Sequence, residues 1–300
     1  MRLLSILFLV FAMSSHTVLA ADPPPLPELR FAQIPEAARP RYNGDRFSYM
    51  EAGRKDAPPL VLLHGVGANS MHWRFQLAGL SDRYRVIAWN APGYVLTDAL
   101  RADTPTCRDY ADAVADFLAA LGIGRTAILA NSFGARVAQC FGAHYPDRVV
   151  RMVLTGAGIG QRDLPDADRQ KAVAVRQAQI GAGGYGLGAR VAALLSTKAS
   201  PETIALVQDV LRATNPVGFM QAVRFGLSNT YLPDFADRLT MPVLLIQGAE
   251  DRVNPTEHNA AILAKALPNA RLIVLDGAGH LPEVELPGRV NELTAAFLAE

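Results

Sequence analysis

The chain has 300 residues, of which half are hydrophobic and 19% are charged, so it can bury a substantial core. This composition excludes an intrinsically disordered chain and a multi-span membrane protein. The formal net charge of +1 offers no strongly basic face for nucleic acid or for an anionic membrane surface. We therefore expect a globular protein that does not bind nucleic acid.

The first twenty residues have the layout of a secretory signal peptide. Arg2 supplies a positive start, Leu3–Met13 is an apolar run, and Val18 and Ala20 occupy the −3 and −1 positions of a cleavage site. The apolar run is too short to cross a hydrocarbon core of about 30 Å as a helix, so we expect no stable membrane span. The sequence predicts cleavage near Ala20 and a secreted or periplasmic protein, with an uncleaved anchor as the alternative.

After a Pro-rich linker at 21–40, short apolar segments alternate with helix-like segments through a domain at 41–300. Arg46–Glu51 alternates in the manner of an antiparallel first strand. Runs rich in Val, Ile and Leu predict strands at Leu60–Leu63, Val86–Trp89, Ala127–Ala130, Val149–Leu154, Val243–Ile246 and Leu272–Leu275. Amphipathic spacing predicts helices at Tyr110–Leu121, Phe133–His144 and Thr256–Leu267. This alternation predicts an α/β fold with a doubly wound, mostly parallel sheet.

Residues at about 160–237 interrupt the alternation. They contain helical stretches rich in Gln, Arg and Ala, a glycine cluster at 181–188 and no convincing buried strand. We interpret this segment as a helical lid over the carboxyl edge of the sheet. Crossover helices that simply cover the sheet are the alternative.

The sequence contains two cysteines, Cys107 and Cys140, which are too few for a disulfide-stapled scaffold. Export would permit a bridge between them. Cys140 lies in a predicted buried helix, where a free cysteine acts as a small hydrophobe, and this favours two free thiols. The sequence leaves the bridge open.

A candidate nucleophile stands in Ala130–Gly134 (A-N-S-F-G), which follows a predicted strand and opens a predicted helix. The segment is a close variant of G-x-S-x-G, the sharp turn that lifts a serine hydroxyl above the sheet. Small residues two positions before and after Ser132 allow this strained turn to close. We therefore predict that Ser132 is a nucleophile.

A serine hydroxyl is a poor nucleophile at neutral pH and needs a base that is itself held by a third group. Of the six histidines, His280 stands in a glycine-rich loop after the last predicted strand, where the carboxyl edge of the sheet gathers active-site residues. Asp251, which follows the penultimate strand, is the predicted orienting acid, and its neighbour Glu250 is the competitor. Thr155–Gly158, the other segment where such an acid would stand, contains no carboxylate.

His64–Gly67 (H-G-V-G) follows another predicted strand. A tetrahedral intermediate needs two positioned N–H donors, and the backbone amides of Val66 and Phe133 are the candidates. His64 is expected to brace this loop. The sequence has no His or Cys cluster with the spacing of metal ligands and no phosphate-loop or dinucleotide fingerprint, so we expect no cofactor.

Together these residues resemble the α/β-hydrolase family. The chain order of Ser132, Asp251 and His280 agrees with that family, as do His64–Gly67, Pro92–Tyr94 (P-G-Y) and His280–Pro287 (H-L-P-E-V-E-L-P). The resemblance covers essentially all of the chain after the signal peptide and outside the predicted lid. It implies cleavage of a carboxylic ester or a related acyl substrate through an acyl-enzyme. Dehalogenases and epoxide hydrolases of this fold carry an aspartate nucleophile, so Ser132 argues against both.

Asn131 resembles the residue before the serine in carbon–carbon bond hydrolases that split meta-cleavage products. Those enzymes hold the substrate carboxylate with a lid arginine, which makes Asn131 and Arg190 candidate substrate-binding residues, although a solvated helix position is the more ordinary explanation for Arg190. They carry a tryptophan after the catalytic histidine, where this chain has Leu281. A carbon–carbon hydrolase is the alternative enzyme, and a non-catalytic binding protein is the alternative class. The sequence does not reveal the oligomeric state.

Overall fold

A computed structural model describes residues 23–181 and 183–300 of the chain. The predicted signal peptide, residues 1–20, lies outside the described residues. Within them, eight strands form a single sheet. The strands are β1 Leu29–Gln33, β2 Arg46–Ala52, β3 Pro59–Leu63, β4 Arg85–Trp89, β5 Thr126–Asn131, β6 Val149–Thr155, β7 Val243–Gly248 and β8 Ala270–Leu275. The predicted α/β class is confirmed.

The strand order across the sheet is β1-β2-β4-β3-β5-β6-β7-β8. Two pairs, β1 with β2 and β2 with β4, are antiparallel, and the remaining neighbours are parallel. The carboxyl ends of the parallel strands therefore meet at one edge of the sheet. The sequence analysis predicted a linker at 21–40, but part of this segment forms β1. Its backbone pairs with the edge of β2 along the full length of Leu29–Gln33.

The helices of the described residues flank the sheet and follow its edge. They are α1 Arg74–Leu80, α2 Cys107–Ala120, α3 Phe133–His144, α4 Asp166–Ile180, α5 Val191–Leu194, α6 Pro201–Arg212, α7 Pro216–Gly226, α8 Ala260–Ala266, α9 Pro282–Glu285 and α10 Pro287–Leu298. The predicted helix Thr256–Leu267 is divided, since the backbone of Asn259 (φ −135°, ψ −85°) separates a 3₁₀ turn from α8. Within residues 23–181 and 183–300, none of the helices has both the length and the apolarity needed to cross a membrane.

The sheet separates two hydrophobic cores. Side chains alternate along β3, so Leu60 and Leu62 enter one core while Val61 and Leu63 enter the other, and all four are fully buried. Helices α2 and α3 cover the second of these faces, and α1 and α10 cover the first. Burial on both faces explains why the strand sequences are continuously apolar instead of alternating.

Residues 160–237, called the helical insertion below, lie between β6 and β7 and contain α4 to α7. A third hydrophobic cluster joins the insertion to the loop after β8, because Leu211 and Phe219 pack with Leu281 and Val284. The side chain of Asn69 also donates a hydrogen bond of 3.0 Å to the carbonyl oxygen of Val210. These contacts hold the insertion over the carboxyl edge of the sheet.

A disulfide joins Cys107 to Cys140, contrary to the two free thiols that burial favoured. Cys107 begins α2 and Cys140 lies in α3, and these neighbouring helices bring the two Cα atoms to 5.4 Å, inside the range that a bridge requires. The cysteines are 33 residues apart, so only the packing of the two helices reveals the pairing.

Candidate active site

Ser132 lies in a strained turn between β5 and α3. Its backbone has φ 51° and ψ −112°, a conformation that residues other than glycine rarely adopt. The amide of Ser132 donates to the carbonyl of Thr155 at 3.0 Å, and its own carbonyl accepts from Arg136 at 3.1 Å. A Cβ atom on Gly134 would lie 2.0 Å from the carbonyl oxygen of Leu63, so the turn closes only because that position is glycine.

His280 and Asp251 form a buried pair. The imidazole Nδ1 lies 2.8 Å from Oδ2 of Asp251, and both side chains are nearly inaccessible to solvent. The backbone N–H of His280 donates to the carbonyl of Leu194 in the insertion at 2.8 Å. The acid after β7 therefore holds the ring of His280, and the helical insertion holds its backbone.

The carboxylate of Asp251 is fully engaged by donors. Oδ1 accepts hydrogen bonds of 2.8 Å from the amides of Val253 and Asn254, and Oδ2 accepts one of 2.6 Å from the side chain of Gln247. Burial by itself opposes the charged form, but the hydrogen bonds from His280, Asn254 and Val253 outweigh it and hold the pKa of Asp251 below its usual value. Asp251 is thus an anion at neutral pH, aimed at the imidazole.

Glu250, the competing acid, points away from this pair. Its carboxylate accepts hydrogen bonds of 2.8 Å from the amide and the hydroxyl of Thr197, which lower its pKa. Of the two adjacent acids, Glu250 therefore binds Thr197, and Asp251 contacts His280.

Ser132 and His280 line one cavity of about 30 Å³ together with Gly65, Val66 and Asn131. Within the described residues no direct hydrogen bond joins the serine to the imidazole. Catalytic hydrogen bonds are commonly long in ligand-free enzymes and shorten when substrate binds. The cavity brings the predicted nucleophile, base and oxyanion loop to the same place.

The amides of Val66 and Phe133 are available to an anion beside Ser132, since all three residues line an adjoining cavity. Phe133 is the first residue of α3, where an N–H group has no acceptor within the helix. Val66 lies in the loop after β3. Among the hydrogen bonds of residues 23–181 and 183–300, neither amide donates to a protein acceptor. Two free donors beside a serine are what an oxyanion needs.

His64 braces the loop that carries Val66. Its Nε2 accepts a hydrogen bond of 3.1 Å from the amide of Ala91, so the proton stands on Nδ1 and is donated to the carbonyl of Gly65 at 2.9 Å. Complete burial lowers the pKa of His64 to about 3. The ring is therefore neutral at neutral pH. It stabilises the loop by donating one hydrogen bond and accepting another.

We expect His64 to make the protein acid-sensitive. The unfolded chain protonates this histidine below its usual pKa of 6.5, whereas the native protein does not until about pH 3. More protons bind to the unfolded state in this window, so stability falls as pH falls, by about 3 kcal/mol between pH 7 and pH 4. Urea unfolding at both pH values measures the loss, and His64→Gln should remove it. An equal acid-dependent loss in the variant would contradict this assignment.

Asn131 lies behind the serine and ties two loops together. Its side-chain N–H₂ donates to Oγ1 of Thr155 at 3.2 Å and to the carbonyl of His280 at 3.1 Å. Its Oδ1 is buried without a partner, and a Cβ atom on Gly65 would lie 2.7 Å from it. The sequence analysis predicted that Asn131 binds substrate, but its amide nitrogen already donates hydrogen bonds to the protein.

Arg190 lines the cavity that contains Ser132. It also lines an adjoining cavity of about 460 Å³ that Arg136 and Arg176 share and to which no Asp or Glu of the described residues contributes. One terminal nitrogen of Arg190 is buried without a hydrogen-bond partner. Burial, and then repulsion from Arg176, lower the pKa of Arg190 to about 10, so it remains charged at neutral pH. Arg190 therefore lines the cavity of Ser132 as a cation that has no carboxylate partner within the described residues.

The structure adds supporting residues that the sequence analysis did not single out. Glu285 accepts hydrogen bonds of 2.7 Å from the amides of Gly279 and Ser196, which fixes the loop before His280 against the insertion. Glu283 lies 2.7 Å from Nε2 of His72, and both side chains are buried. Both glutamates lie within His280–Pro287, the segment that resembles the family. Their closeness in sequence to His280 could have identified them as supporting residues.

A model of the alpha/beta hydrolase fold matches residues 58–285. This range covers most of the chain and includes Val66, Ser132, Asp251 and His280. The chain therefore belongs to the α/β-hydrolase family, as the resemblance in its sequence implied, and it is a hydrolase whose fold accepts a small-molecule substrate.

Several proteins are similar to this chain in sequence or in fold. A 2-hydroxy-6-oxononadienedioate/2-hydroxy-6-oxononatrienedioate hydrolase from Burkholderia vietnamiensis is 29% identical over 251 residues, which cover 80% of this chain and 86% of that protein. A hydrolase from Pseudomonas aeruginosa is 26% identical with a TM-score of 0.77, covering 91% of this chain and 99% of the other. An esterase from Thermogutta terrifontis has a TM-score of 0.78 at 22% identity, covering 91% and 98%, and shows the shared fold.

Proposed function

We propose that the protein cleaves a carboxylic ester or a related acyl substrate through an acyl-enzyme on Ser132. His280 removes the hydroxyl proton as the oxygen attacks the carbonyl carbon, and Asp251 stabilises the resulting imidazolium. The amides of Val66 and Phe133 bind the oxyanion. His280 then protonates the leaving alcohol, activates a water molecule, and the acid leaves while Ser132 regains its proton.

One observation carries this proposal: His280, whose imidazole is paired with the buried Asp251, lines the same cavity as a serine in a strained strand-to-helix turn. A binding protein has no need of that strain, which costs of order 1–3 kcal/mol. The two free amides beside the serine add a place for developing negative charge. These features favour acyl transfer over the non-catalytic alternative.

A carbon–carbon bond hydrolase is the second candidate, and Arg190 is the observation that favours it. The guanidinium of Arg190 lines the cavity of Ser132, has no carboxylate partner within the described residues and so fits a substrate carboxylate. The Burkholderia vietnamiensis relative is named for dioate substrates. Asn131 precedes the serine, as the resemblance to meta-cleavage-product hydrolases requires. Leu281 stands where those enzymes carry tryptophan, and this departure leaves ester cleavage as our first choice.

Two substrate classes separate the candidates. We expect short p-nitrophenyl esters to be hydrolysed with a higher kcat/KM than a dienoic vinylogous diketone. Dominant turnover of the diketone would replace the esterase proposal with the carbon–carbon alternative. A folded protein that turns over neither substrate and fails to react with a fluorophosphonate probe would favour a binding function.

Arg190 predicts a preference for esters whose alcohol arm carries a carboxylate. Replacement of Arg190 with glutamine should lower kcat/KM for carboxymethyl butyrate roughly 10- to 100-fold, because a hydrogen bond to a charged group contributes about 1.5–3 kcal/mol. The rate with neutral ethyl butyrate should stay within about 2-fold of the wild-type value. Arg212→Gln, which removes an exposed arginine of α6 paired with Asp209, is the matched control. Equal losses on both esters would show that Arg190 does not recognise a carboxylate.

We also propose that the chain is exported and cleaved near Ala20. The disulfide between Cys107 and Cys140 supports this, since such bonds persist in oxidising compartments and are rare in the cytosol. Amino-terminal sequencing of the protein from the native host should begin at Ala21. A mature protein that starts at Met1 in the cytosolic fraction would refute the proposal.

A further inference from the structure

A second large depression lies on the outer side of α6, away from the arginine-lined cavity. It has a volume of about 510 Å³, within the range of small-molecule sites. Its walls come from the segment before β1, the turn that leads into α1, and α6. The apolar lining includes Leu26, Met71, Phe75, Leu206, Val210 and Val284. We call this depression the α6 groove.

The cavity around Ser132 is too small for a substrate. About 30 Å³ is the space of a single water molecule, so the two arms of any acyl substrate must extend into neighbouring space. One direction leads to the arginine-lined cavity, which also contains Ser132. The other direction leads to the α6 groove, because Val210 lines both the serine cavity and the groove.

Val210 is therefore the residue of α6 that the two compartments share. It is 5% exposed, and its carbonyl is held by the side chain of Asn69 at 3.0 Å, which fixes this turn of α6 beside the oxyanion loop. Val207, one turn earlier on α6, lines the serine cavity without reaching the groove. Leu206 lines the groove without reaching the serine cavity. On α6, Val207 thus lines only the serine cavity, Leu206 lines only the α6 groove, and Val210 lines both.

The chemistry of the groove selects a hydrocarbon. Eight of its lining residues are apolar and five are polar or charged. The charged residues are Arg74, Glu202 and Asp209, of which Asp209 pairs with the exposed Arg212, and the apolar residues outnumber all the polar and charged ones. A flexible alkyl chain can follow such a groove past a single valine, whereas a polar group would lose its hydration there without compensation.

We propose that the α6 groove is the subsite for a linear alkyl chain of the substrate, and that Val210 is the gate between this subsite and Ser132. The proposal rests on the proposed esterase function and adds the substrate class, namely esters with a medium-length acyl chain. One face of the site then recognises charge and the other recognises hydrocarbon.

The test compares p-nitrophenyl esters from acetate to decanoate. A buried methylene contributes about 0.8 kcal/mol, so kcat/KM should rise by up to about 4-fold per methylene once the chain enters the groove. Replacement of Leu206 with tryptophan, which fills the groove, should abolish this rise while acetate turnover stays within about 2-fold. Ile204→Trp is the matched control, since Ile204 is also a partly buried residue of α6 but lines a different depression.

A second pair of variants tests the gate. Val210→Ala should raise kcat/KM for octanoate and decanoate at least about 3-fold over wild type, and adding Leu206→Trp should cancel that gain. Val207→Ala enlarges the serine cavity alone and should give no such gain. The proposal is overturned if Leu206→Trp leaves the chain-length profile of both the wild type and Val210→Ala unchanged, or if Val207→Ala matches Val210→Ala.

Two other outcomes have separate meanings. If Leu206→Trp alters the molecular mass in sedimentation and leaves the chain-length profile intact, the groove is a contact between copies of the chain and the subsite proposal is wrong. If the wild type hydrolyses no ester of any length, the proposed function fails. That result is distinct from an active enzyme whose chain-length profile ignores the groove.

Discussion

Replacement of Ser132 with alanine is expected to lower kcat for ester hydrolysis by about 10⁴- to 10⁶-fold, the range seen when a triad serine is lost. The variant keeps the Asp251–His280 pair and the two free amides, so substrate binding should change little. It removes the one oxygen that can form the acyl bond. Steady-state kinetics with p-nitrophenyl butyrate measure the loss, and labelling by a fluorophosphonate should disappear with it.

Ser70 provides the matched control for this experiment. It is a buried serine near the loop that carries Val66, and its hydroxyl makes no hydrogen bond within the described residues. Ser70→Ala should therefore label and turn over substrate like the wild type. Continued labelling of Ser132→Ala, or a loss of activity smaller than about 10-fold, would show that another residue carries the acyl group.

Conversion of Asp251 to asparagine should lower kcat by about 10⁴-fold. The amide oxygen of the new side chain can still accept the bonds from Val253 and Asn254, which anchor Oδ1 at 2.8 Å. The amide nitrogen then takes the place of Oδ2 and faces Nδ1 of His280 with donors. The imidazole responds by carrying its proton on Nε2, and in that tautomer it cannot accept the proton of Ser132.

Glu250→Gln is the control for Asp251→Asn, because the two acids are adjacent in the chain and only one contacts the histidine. We expect kcat for Glu250→Gln to stay within about 2-fold of wild type, since its carboxylate bonds to Thr197 at the surface. Thermal unfolding of both variants separates a catalytic loss from misfolding. If Glu250→Gln were the more damaging change, the assignment of the orienting acid would be reversed.

The sequence by itself determined where the strands that carry the site lie along the chain and which residues follow their ends. Strands buried on both faces must be apolar throughout, so β3 to β7 were visible as short runs of Val, Ile and Leu. The parallel arrangement then required their carboxyl ends to meet, which assembled Ser132, Asp251 and His280 from distant parts of the chain. The turn at Ser132 was recognisable because a strained backbone tolerates few residues, as Gly134 shows.

The tertiary structure decided what local patterns do not encode. β1 has only the short alternating segment Leu29–Gln33, and its pairing partner β2 makes it a strand. The Cys107–Cys140 bridge depends on how α2 packs against α3, because a buried cysteine has the same local sequence whether it is free or paired. Packing distances, not sequence spacing, decide such contacts.

The same reasoning applies to the walls of the site. Arg190 follows a glycine cluster with no periodic pattern, so its direction was set only by the insertion folding onto the sheet, which turned one guanidinium nitrogen inward without a partner. Val210 lines both the serine cavity and the α6 groove, because Asn69 holds that turn of α6 beside the loop that carries Val66. Chain order and residue chemistry thus predict the proposed catalytic groups. The shape of the space around them depends on long-range packing, whose energies are summed over contacts that no short segment contains.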